Sequence, residues 1–76
     1  MGPIELGRAA QRLLEDELVK DVFASLETGY VKAWKDSTIP DAREAWWHRI
    51  KALEDVQQAL KKLRDSGIRA DRTAGA

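Results

Sequence analysis

Apolar side chains recur three or four residues apart along most of this chain. In the first half Leu14, Leu18, Val22, Phe23, Leu26, Tyr30, Val31 and Trp34 keep mostly to that spacing, which lays them on one stripe of a helix. The polar residues between them, Glu15, Glu17, Lys20, Asp21, Glu27, Lys32 and Lys35, fall on the opposite side. In the second half the apolar positions are Ala42, Trp46, Ile50, Leu53, Val56, Leu60 and Leu63. From Trp46 onward their steps are four, three, three, four and three, close to a heptad seam. No run of alternating apolar and polar residues bounded by turn formers marks a strand. The pattern predicts an all-α protein: two long helices folded back into an antiparallel hairpin.

Helix breakers sharpen the boundaries. Pro3 and Gly7 lie at the start, Pro40 near the middle, and Gly67 and Gly75 near the end, with only Gly29 inside the long segments. The first helix is expected over about 4–36, with a break near Asp16 as the alternative. There Asp16 can cap a new helix whose first turn holds Glu17, so that a short helix precedes a longer one. Gly29 costs about 1 kcal/mol relative to Ala inside a helix, which a close approach by a neighbouring helix would explain. A turn is predicted at 36–41, where Ser37 or Thr38 can cap the next helix and Pro40 suits its first turn. The second helix is expected over about 39–66. Gly67 is placed to close it, with Leu63 and Ile68 making the apolar contact of a Schellman motif, and 69–76 is read as a flexible tail.

Composition narrows the range of functions. With 76 residues the chain is one small domain. It has no cysteine, hence no disulfide framework, Cys-based zinc site or thiol nucleophile. Its 13 basic and 13 acidic side chains balance to zero net charge, which disfavours bulk nucleic-acid binding and a polybasic membrane anchor. No window approaches the roughly 20 apolar residues of a membrane span, and no charged segment followed by an apolar run marks a secretory signal. A non-membrane protein inside a cell is the expectation.

One seam cannot use all the apolar surface. Trp46 and Trp47 are adjacent and diverge by about 100° around a helix, and Leu13-Leu14 and Leu18-Val19 pose the same problem. A homo-oligomer is expected, most simply two hairpins in a four-helix bundle, or a three-helix monomer if the chain breaks at Asp16.

Candidate chemistry is sparse. Tyr30 and Trp34 end the first helix while Trp46 and Trp47 begin the second, so all four gather at the turn. They are either the closing layer of the core or an anchor for another protein, since Trp and Tyr are enriched at binding hot spots. Lys61, Lys62, Arg64, Arg69 and Arg72 make the C-terminal quarter locally basic. They suit helix-end solvation or contact with a phosphate or an acidic partner, and nucleic acid is the less favoured partner. His48, the single histidine, can pair with Glu44 but cannot build a metal site alone. With no nucleophile arrangement, phosphate-binding loop or metal spacing, neither enzymatic activity nor a cofactor is expected.

Ala10…Leu13-Leu14, Tyr30-Val31…Ala33-Trp34, Asp41…Arg43-Glu44…Trp47 and Leu53…Val56…Leu60 together span most of the chain. This pattern resembles short helical proteins encoded by bacteriophages and prophages, often found among virion structural genes. Such relatives often carry proline after the acid of the first break, where this chain has Glu17. The resemblance implies an accessory or assembly component of a phage particle, partnered by other phage structural proteins. It would then be located in the host cytoplasm or in the virion.

Overall fold

The computed structural model describes residues 1–75. Three helices account for nearly all of them: α1 (Pro3–Glu15), α2 (Glu17–Asp36) and α3 (Pro40–Gly75). α1 and α2 follow one another along the length of α3 and run antiparallel to it. Gly7 meets Gly67 at one end and Tyr30 meets Trp46 towards the other. The result is a rod of 56 × 23 × 17 Å, a hairpin with one broken arm and one continuous arm.

The break lies at Asp16 and has a local cause. Its backbone is extended (φ −69°, ψ 124°), its amide donates to the Leu13 carbonyl at 3.3 Å, and its carboxylate accepts from the Val19 amide at 3.0 Å. One residue thus closes α1 and caps α2, with Glu17 adding a favourable charge to the first turn of α2. At the far end the Ser37 amide donates to the Ala33 carbonyl and closes α2. Pro40 opens α3, where its missing N–H costs nothing. Ile39, rather than Ser37 or Thr38, directly precedes that helix, and its carbonyl accepts from the Arg43 amide at 3.0 Å.

Two expectations need correcting. The second helix does not stop at Gly67, and 69–75 is helix rather than tail. No glycine among the described residues has a positive φ, so the Schellman cap is not formed. α1 reaches so far along the rod that α3 must continue beyond Gly67 to lie beside it. Gly67 serves instead as a contact point. A Cβ added there would sit 2.6 Å from the Gly7 Cα, and a Cβ on Gly7 would sit 2.6 Å from the Gly67 Cα. The backbones touch, and Ala10 beside them is only 2% exposed. Gly29, by contrast, has nothing within 4 Å of where a Cβ would be, so the close approach occurs at the other end of the hairpin.

The second correction concerns which residues face inward. α3 turns Trp46, Ile50, Leu53, Gln57, Leu60 and Arg64 towards the first arm, all partly covered. Val56 and Leu63, expected in that seam, lie outside it and are exposed. On α2 the single expected stripe divides. Val19, Phe23, Tyr30 and Trp34 are partly covered, whereas Leu18 is 72% exposed and Val22 is also exposed.

The glycine contact yields a stability prediction. Gly67→Ala gains up to about 1 kcal/mol of helix propensity but forces backbones apart, for a net loss of about 1–2 kcal/mol. Gly29→Ala, with open space around it, should stabilise by about 0.5–1 kcal/mol. Thermal unfolding of the two variants should therefore move in opposite directions, and amide exchange in Gly67→Ala should accelerate first in α1.

Candidate interaction surface

The turn end holds the aromatic residues singled out in the sequence. Tyr30 and Trp46 pack with ring centroids 5.9 Å apart at 40°. Arg43 lies over the Trp34 ring at 4.5 Å, and one of its terminal nitrogens donates to the carbonyls of both Trp34 and Ser37 at 3.1 Å. Those carbonyls belong to the end of α2 and the turn after it, where intrahelical donors run out. Arg43 therefore ties the turn to the first turn of α3. Arg49 stacks on the other ring, 4.5 Å from the Trp46 centroid.

Trp47 is set apart from this group. One position on from Trp46, it points away from the seam, is 45% exposed, and lies near His48 and the Lys51 ammonium. The structure thus brings Tyr30, Trp34 and Trp46 to the closing layer of the hairpin and leaves only Trp47 on the outside. His48 lies 3.6 Å from Glu44 on the exposed surface. No group of acidic or His side chains among the described residues is arranged to hold a metal ion.

The basic residues of the C-terminal quarter do not form one patch. Arg64 turns towards α1, lining a shallow groove with Gly7, Arg8, Gln11 and Asp71, and its Nε donates to Asp65 at 3.0 Å. Lys62 and Arg69 lie on the outer side of α3, about 150° around the helix from Arg64. Lys61 lines a different groove with Lys20, Glu27 and Gln57, and Arg72 is exposed near the end of α3.

The two long sides of the rod differ in chemistry. On one, the charged Lys20, Glu27 and Lys61 share a groove with Leu14, Val19 and Phe23. On the other, Tyr30 shares a groove with Arg49, Ala52, Leu53 and Val56. Stepping about 100° per residue around each helix places Leu18, Val22, Leu26, Gly29 and Ala33 on this second side. Ala45, Ala52, Val56, Ala59 and Leu63 join them from α3, with Leu13 from α1. Of these, Leu13, Leu18, Val22, Leu26, Val56 and Leu63 are large exposed hydrophobic residues. They form one apolar face along the rod, opposite a side on which charged and apolar residues mix. The sequence holds its signature in Ala45, Ala52, Val56, Ala59 and Leu63, a second heptad series running one residue behind the inward seam. The aromatic residues are more conspicuous and sit mostly outside this face.

No family model, curated protein or solved structure matches this chain. No helix among the described residues is long and apolar enough to cross a membrane.

The Arg43 junction can be tested directly. Arg43→Ala removes two carbonyl partners and a stacked ring and should cost about 2 kcal/mol in urea unfolding, with loss of near-ultraviolet Trp ellipticity. Arg43→Lys keeps the charge but not the planar fork and should recover less than half of that loss.

Proposed function

We propose that this chain is a non-enzymatic helical interaction module that works by protein–protein contact through the apolar side of the rod. The observation that carries this reading is the continuity of that side: exposed leucines and valines from all three helices line up along one surface. Contiguous exposed apolar surface of this kind marks sites of association. Among the small residues of this side, Ala52 lines a groove with Tyr30, Arg49, Leu53 and Val56. The aromatic cluster, a candidate anchor on sequence grounds, is better used in holding the two arms together at the turn. The resemblance to phage-encoded helical proteins supplies a candidate setting, an accessory or structural component of a phage particle.

Site-specific photocrosslinking tests the surface whatever the partner is. A photoreactive side chain at Val22 or Val56 should give protein adducts in cells that produce the chain. The same group at Glu27 or Lys61, on the opposite side, should give far fewer. Equal yields from both sides, or none from Val22 and Val56, would contradict the reading.

A further inference from the structure

The apolar side of the rod carries enough pattern to identify what covers it. On α3 its residues are Ala45, Arg49, Ala52, Val56, Ala59 and Leu63, spaced alternately by four and three. That is a second complete seam beside the inward one. Its small and large members alternate in a way that complements their own reversal. If α3 is laid antiparallel on a copy of itself about a point between Gln57 and Gln58, Ala52 faces Leu63 of the second copy. Val56 likewise faces Ala59 of the second copy. A parallel pairing would set Leu63 on Leu63 but leave Ala52 opposite Ala52, so that this layer is unfilled.

Charge agrees with the same arrangement. Asp55 and Lys62 flank the seam on its outer edge. The reversal that pairs the apolar residues also brings Asp55 beside Lys62 of the second copy, and symmetry repeats the pair. With zero net charge, two copies meet no long-range repulsion.

The first arm adds aliphatic surface to the same face. Its exposed cluster is Leu18, Val22 and Leu26, centred on Val22. The available area is also sufficient. The chain exposes 5749 Å², about 1,000 Å² more than the roughly 4,700 Å² expected of a compact protein of this mass. A standard interface takes about 800 Å² from each partner.

We propose that the occupant of the apolar face is a second copy of this chain, with α3 seated antiparallel on its counterpart about a two-fold axis at Gln57–Gln58 to make a four-helix bundle. This rests on reading that face as the working surface, and it names the partner.

Sedimentation equilibrium of the full chain up to about 200 μM should give twice the 8.6 kDa chain mass. Val56→Glu should shift the equilibrium to monomer. Because that variant could also lose structure, the decisive measurement uses surface charges. Asp55→Lys and Lys62→Asp should each weaken self-association about tenfold through two like-charge contacts. The double variant should restore it, and a mixture of the two single variants should form the heterodimer in preference to either homodimer. A wild-type chain that stays at 8.6 kDa would overturn the proposal, as would a dimer indifferent to these exchanges. If the monomeric chain still crosslinks to a different protein from Val22 and Val56, the second copy is excluded while the interaction surface stands. If neither self-association nor crosslinking occurs, both readings fail.

Discussion

A helix resting against one neighbour can cover only one of its stripes, and that limit governs this molecule. α3 touches both other helices, but they follow one another along its length, so each section of α3 meets only one partner. Everything apolar beyond the single shared seam must remain on the outside. Among the described residues, Ala10 is the only hydrophobic side chain that is buried. The radius of gyration, 16.4 Å, compares with about 11 Å for a compact domain of this length. The molecule is consequently a good surface before it is a good core.

Contacts between the arms compensate by being specific where they cannot be extensive. At one end two glycines allow backbones to meet, trading helix propensity for close packing. At the other, Arg43 spans ring and carbonyls, and Tyr30 rests on Trp46. Between these clamps the seam is filled by partly covered residues, including Gln57 and Arg64, whose stems can pack while their polar ends reach water. The ion pairs are mostly between near neighbours on exposed helix surfaces, the kind that contributes little to stability.

Much of this was legible in the sequence, and the limits of that legibility are physical. The helical class followed from apolar spacing and the turn from Pro40, whereas the Asp16 cap was legible only as the alternative to one unbroken helix over about 4–36. Which of two neighbouring stripes faces inward did not follow. Val56 and Gln57 differ by one position, and apolar spacing alone favours Val56. The inward choice of Gln57 depends on the angle at which the first arm lies, which single-helix periodicity does not contain. Gly67 misled for a related reason. Glycine suits both a helix end and a close helix contact, and only the presence of Gly7 opposite decides between them. The apolar face was legible as a surplus of hydrophobic residues, but periodicity did not separate its residues from the seam.

The break at Asp16 has a consequence for that division. Continued as one helix, the stripe of Gly7 and Leu14 would run on through Leu18, Val22, Ser25 and Gly29. Phe23, Tyr30 and Trp34 would then be turned outward. The extended residue at Asp16 resets the rotational phase of the arm, so that the aromatic set swings in and the aliphatic set swings out. The first arm carries two alternative inner faces, and one capped aspartate selects between them. Rings are thereby assigned to holding the hairpin together, and the aliphatic side chains are left on the outer surface.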